Sequence, residues 1–162
     1  MQRINAPKST IKYYKEIELS VDVVSLNDVP FLVSTPENIH CGTGVALPNM
    51  KCMSLELELK NVARSFAVIS FQVIVICVDI QFKVLKHRNL FGVETNAASR
   101  DEHVPKIERR HRVIKERARC YCAMLPCNYF PRMMVTNLVK IIMFHINAFA
   151  WRKGVSQTLK PQ

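Results

Sequence analysis

Residues 73–79 read Val73-Ile-Val-Ile-Cys-Val-Asp79, a continuous and largely β-branched apolar run that ends in a carboxylate. A run of this length and make-up predicts a central strand buried on both faces. Upstream, Glu16-Ile-Glu-Leu-Ser-Val-Asp-Val-Val24 alternates apolar and polar side chains, which is also a strand signature. Asn27-Asp28 is a turn pair and Pro30 to Thr35 a second strand, so the two strands are expected to form a hairpin. Gly42 to Leu47 predicts a short third strand. From Met53 the period changes: Leu55, Leu59, Val62 and Phe66 step by four, three and four residues, one face of a helix. A short helix is expected after Phe82 and a weak strand over 93–97.

The chain has 162 residues, 49% of them apolar and 22% charged, the composition of one globular domain long enough to bury a core. The first fifteen residues are polar and basic, with no apolar stretch of the kind a secretory signal needs. They read as a flexible N-terminal segment, residues 16–151 as the folded domain and 152–162 as a C-terminal tail. Six cysteines (41, 52, 77, 120, 122 and 127) form no CxxC pair, and reduced thiols inside the cell are the expectation. The apolar stretch from Met133 to Trp151 is interrupted by Asn137, Lys140, His145 and Asn147. It therefore reads as a buried amphipathic helix, with a stripe of Met134, Leu138, Ile141, Ile142, His145 and Phe149, and not as a membrane span. Strands in this order, with helices between and after them, predict an α/β layered domain.

Charge is concentrated in Val104-Pro-Lys-Ile-Glu-Arg-Arg-His-Arg-Val-Ile-Lys-Glu-Arg-Ala-Arg119. Seven Lys/Arg against two Glu between Lys106 and Arg119 supply five of the chain's net +10 charges. Such a segment favours a polyanionic partner, with nucleic acid the leading class. As a helix it would turn Ile107, His111, Ile114, Ala118 and Tyr121 inward. Glu108 lies in its first turns, and Arg112 and Lys115 follow four and seven residues later on the same face.

Three carboxylates stand out. Asp22 interrupts the first strand, Asp79 ends the central strand and Glu108 opens the basic helix. Carboxylates from two neighbouring strands and a covering helix can share divalent ions and support in-line phosphoryl displacement. Taken singly, each has an ordinary reading: a turn residue, a cap, an ion pair.

The local motifs add to this. Val21-Asp22-Val-Val-Ser-Leu-Asn-Asp-Val-Pro-Phe-Leu-Val33 resembles the first hairpin, with its leading Asp, of the integrase catalytic core of copia-type retrotransposons. Val78-Asp79-Ile-Gln-Phe82 is similar to the second-Asp motif. His103-Val-Pro-Lys-Ile-Glu108-Arg-Arg-His-Arg-Val-Ile-Lys115 is similar to the third, and Gly154-Val-Ser-Gln-Thr-Leu-Lys-Pro161 to the closing segment. The resemblance spans roughly residues 17–161. It implies a ribonuclease-H-like three-layer fold with a mixed sheet flanked by helices. It also implies a polynucleotidyl transferase that uses Mg²⁺ or Mn²⁺ on Asp22, Asp79 and Glu108. Arg109, Arg112, Lys115 and Arg119 would then be DNA contacts in an intracellular protein expected in the nucleus. The sequence leaves open whether it forms a homo-oligomer such as the dimers typical of integrases.

Two departures from the pattern stand in the sequence. Only 28 residues separate Asp79 from Glu108, and Ile80-Gln81 occupy positions where a glycine is usual. They point to a diverged copy, so the alternative is a non-enzymatic, basic nucleic-acid-binding remnant of a transposable element. Neither a zinc domain before the core nor a domain after it is expected in this chain. Other candidates are plainer. Cys120, Cys122 and Cys127 lack a fourth zinc ligand near them in sequence, His145 reads as a core histidine and His103 as a loop residue. Ser65 and Ser99 have no His/Asp arrangement around them.

Overall fold

The computed structural model describes residues 13, 15–37, 39, 41–78, 82, 94–97, 105–127 and 129–148. Asn27 and Asp28, the expected turn pair, both have positive φ (47° and 59°). Two successive left-handed residues match the twist of a hairpin, and Asn and Asp tolerate that region better than other non-glycine residues. The turn joins β1 (Glu16–Leu26) to β2 (Val29–Pro36), antiparallel from Leu26↔Val29 to Leu19↔Pro36. β3 (Thr43–Ala46) continues the sheet antiparallel to β2.

Helix α1 (Cys52–Val68) buries the four expected residues, Leu55, Leu59, Val62 and Phe66. Asn49 Oδ1 holds its start by accepting the Lys51 N–H (3.0 Å) and the Ser54 hydroxyl (2.7 Å). At its end Ser70 takes a left-handed conformation (φ 71°), and the N–H groups of Ser70 and Phe71 return to the carbonyls of Ala67 and Phe66. That closure satisfies the last carbonyls and turns the chain sharply. It leads straight into β4 (Gln72–Val78), which pairs in parallel with β1, and β5 (Glu94–Ala97) pairs in parallel with β4. The sheet order is β3-β2-β1-β4-β5. The helix expected after Phe82 falls outside the described residues.

Helices α2 (Pro105–Met124) and α3 (Arg132–Ala148) cover the opposite face from α1. Ile17, Leu19, Val21, Leu32, Ile76 and Val78 pack toward α1, whereas Val24, Phe31 and Val33 pack toward α2 and α3. The result is three layers, with a mixed sheet between one helix and two.

Two expectations need correction. In β4 only Ile76 and Val78 are fully buried, while Val73, Ile74, Val75 and Cys77 are half-buried. β4 stands next to the edge strand β5, and α2 lies over β1 and β2 and α3 over β2 and β3, which leaves β4 less covered. In α3 the buried stripe is Val135, Val139, Ile142 and Met143, and Ile141 is 48% exposed. Apolar residues surround most of this helix, so periodicity alone leaves its rotation open. Packing fixes it: Met143 fills the space beside Gly44, where a Cβ would meet its Cγ at 3.0 Å.

Candidate metal and nucleic-acid site

Asp22 sits within β1, opposite Val33 of β2 and close to α2. A charged residue in a strand interior needs partners. Its Oδ1 accepts the Val23 N–H (2.7 Å), and its Oδ2 lies 3.4 Å from His111 Nδ1. Both side chains are largely covered, 21% and 13% exposed. Burial pushes His111 down to about 4, with Lys115 adding to the effect and Glu108 opposing it. At neutral pH the imidazole is therefore uncharged, and its approach to Asp22 is a polar contact of a neutral ring with a carboxylate rather than an ion pair. The proton is assigned to Nδ1, since a lone pair there would face the carboxylate oxygen. Nε2 is buried without a hydrogen-bond partner. Sequence periodicity identified His111 as inward-facing but gave no sign that it meets Asp22.

The parallel register of β1 and β4 ends with Ser20↔Cys77 and Val21↔Val78. Asp22 and Asp79 are the residues that follow next in the two strands' sequences. Asp79 lies outside the described residues.

Glu108 is exposed in the first turn of α2, where a carboxylate complements the positive end of the helix dipole. It lines a shallow depression together with His111, Arg112, Lys115, Glu116 and Arg119. Arg109, Arg112, Lys115 and Arg119 are exposed and make no hydrogen bond or ion pair among the described residues. Cations left in water this way are available to an anionic partner.

Arg110 differs. It is 9% exposed, and its Nη2 donates to Asn147 Oδ1 at 2.6 Å. Asn147 also accepts the Gly42 N–H (3.1 Å) and donates to the Gly42 carbonyl (2.8 Å), which ties α2, α3 and the start of β3 together. A Cβ at residue 42 would lie 2.6 Å from both Arg110 Cζ and the Ser34 carbonyl oxygen, so glycine is required there. The sequence did carry a signal: Arg110 shares its helical face with Ile107 and Ile114. A simple charge count groups it with the solvated cations.

Cys120 is exposed, and Cys122 and Cys127 are half-buried free thiols. His145 is half-buried, with Nδ1 2.9 Å from the Tyr121 hydroxyl, and Ser65 donates to the Asn61 carbonyl within its own helix. His103 and Ser99 lie outside the described residues. Among the described residues no three His, Cys, Asp or Glu side chains gather into a metal-binding group, and no helix is long and apolar enough to cross a membrane.

A five-stranded mixed sheet in the order β3-β2-β1-β4-β5, with one helix on one face and two on the other, is an α/β domain with the ribonuclease-H-like fold that integrase catalytic cores also have. The crystal structure of the catalytic core domain of BIV integrase matches it with a TM-score of 0.63, at 16% identity, covering 85% of this chain and 88% of that domain. At that identity the likeness establishes the fold. No family model matches the sequence, and no curated protein matches it.

Proposed function

We propose that this chain is an integrase core of the copia type, spanning residues 16–151, with residues 1–15 and 152–162 flanking it. In this reading Asp22, Asp79 and Glu108 hold Mg²⁺ or Mn²⁺, and Arg109, Arg112, Lys115 and Arg119 contact DNA. The observation that carries it is the parallel pairing of β1 with β4, in register up to the residue before each Asp. If that register ran on by one residue, Asp22, which lies on the face that α2 covers, would have Asp79 as its neighbour.

The donor set suits the ion, since hard carboxylate oxygens are the ligands a small divalent cation prefers. The Val23 N–H and His111 contacts leave the Asp22 carboxylate 21% exposed, so an ion has a route to it. When bound, such an ion supplies Lewis acidity at the phosphodiester and a more acidic water. The chain's own residues do the rest. Asp22 and Asp79 would hold the ion from the sheet side and Glu108 from the helix. Arg112 and Lys115, on the same helical face as Glu108, hold the neighbouring phosphates and align the strand.

The test is thermal unfolding in millimolar Mn²⁺. An ion that binds only the folded state raises the melting temperature by mass action. Wild type should shift upward, and Asp79→Asn should remove the shift. A melting temperature indifferent to Mn²⁺ in wild type would favour the second reading, a non-enzymatic DNA-binding remnant of a transposable element. Four exposed cations on α2 without protein partners among the described residues support that reading without any triad.

A further inference from the structure

We propose that His111 is a positioning residue for Asp22, fixing the plane of that carboxylate so that it faces a divalent ion. The inference rests on the metal-site reading above and names a residue which that reading does not use.

Three observations carry it. First, the two oxygens of Asp22 meet different elements: Oδ1 takes the Val23 N–H of its own strand, and Oδ2 lies 3.4 Å from the His111 ring on α2. Two contacts on opposite oxygens oppose rotation of the carboxylate about its terminal torsion, which is otherwise broad. Second, His111 is an expensive choice for an inward helix position. Its Nε2 is buried without a partner, and an orphaned buried polar atom costs roughly 1–3 kcal/mol. An apolar residue would fill the same space without that cost, so packing alone does not account for a histidine. Third, His111 falls three residues after Glu108, one turn along the same helix. The same helix thus presents one candidate ligand and orients another, so displacement of α2 would disturb both. Outer contacts of this kind orient metal-binding side chains in general, and their loss typically costs about 10–100-fold in metal affinity.

Mn²⁺ alone is the probe, titrated by electron paramagnetic resonance into wild type and three variants, with melting in chelator as the control. In His111→Asn the side-chain amide nitrogen replaces Nδ1, in His111→Gln it replaces Nε2, and His111→Leu keeps only bulk. The expected result is roughly tenfold weaker Mn²⁺ binding in His111→Gln and His111→Leu. His111→Asn should bind like wild type, and the chelator melting temperature of His111→Leu should be no lower than that of wild type. A purely packing role would rank the variants by stability instead, with no rescue by Asn. Wild-type affinity in both His111→Leu and His111→Gln overturns the positioning role and leaves the metal site standing. Mn²⁺ binding that is absent from wild type, or unaffected by Asp22→Asn, overturns both.

Discussion

Val21 and Val78 stand opposite each other in parallel register, the last paired residues of β1 and β4 before Asp22 and Asp79. Both are buried on the α1 side of the sheet. Because side chains alternate along a strand, the residue after Val21 is turned the other way, and Asp22 accordingly meets His111 of α2. The valine pair and the aspartate contact are therefore two consequences of one register.

DNA binding should weaken steeply as salt rises, because each phosphate contact releases condensed counterions. With Arg112 and Lys115 both changed to Ala, the slope of log K against log salt should become shallower by about two. Fluorescence anisotropy with duplexes of unrelated sequence, across a salt series, measures this. An unchanged slope would place the DNA surface away from α2.

Acid should destabilise the fold through His111. In the unfolded chain the imidazole takes its proton near 6.5, and in the folded protein near 4, chiefly because it is buried. Between those values the unfolded state binds more protons, so stability falls as pH falls through this window and is complete above it. The loss should total about 3 kcal/mol by the lower end. The charged groups around the ring are Asp22, Glu108 and Lys115. Urea unfolding in chelator from pH 7 to pH 4 should show this loss in wild type, and His111→Leu should lack that part of it.

Asn147→Ala should destabilise the protein by about 2–3 kcal/mol, since three hydrogen bonds that hold Gly42 and Arg110 are lost together. Chemical denaturation gives the value. A loss below about 0.5 kcal/mol, the size of an ordinary surface substitution, would contradict the role assigned to this clamp.

Strand transfer by the purified 162-residue chain is expected to be undetectable in a gel assay with labelled DNA ends. Only 28 residues link Asp79 to Glu108, and an error of about 1 Å in placing a catalytic group can cost roughly 100-fold in rate. Robust end joining would show that the short segment still delivers Glu108 correctly.

Much of the fold was legible because its signals are local. The Asn27-Asp28 turn, the α1 stripe of Leu55, Leu59, Val62 and Phe66 and the apolar β4 run each carry their period or turn chemistry in a few residues. The rotation of α3 was not legible, because it depends on Met143 meeting Gly44 across 99 residues of chain. Of the site, Asp22 could be singled out as a charge inside a strand, but its partner His111 could not, since nothing local couples β1 to α2. Arg110 was misleading for a related reason. Its charge suggests solvent, while its neighbours at helical spacing, Ile107 and Ile114, are buried.

The central claim is that Asp22 and Asp79 share a divalent ion. Its most direct test is a crystal structure of the protein grown with Mn²⁺, with the ion located by anomalous scattering. The account predicts a peak between Asp22 and Asp79, bonded to one carboxylate oxygen of each at about 2.1 Å, as octahedral oxygen sites require. A structure in which those two carboxylates point to different faces of the sheet, or in which Mn²⁺ binds elsewhere, would contradict it.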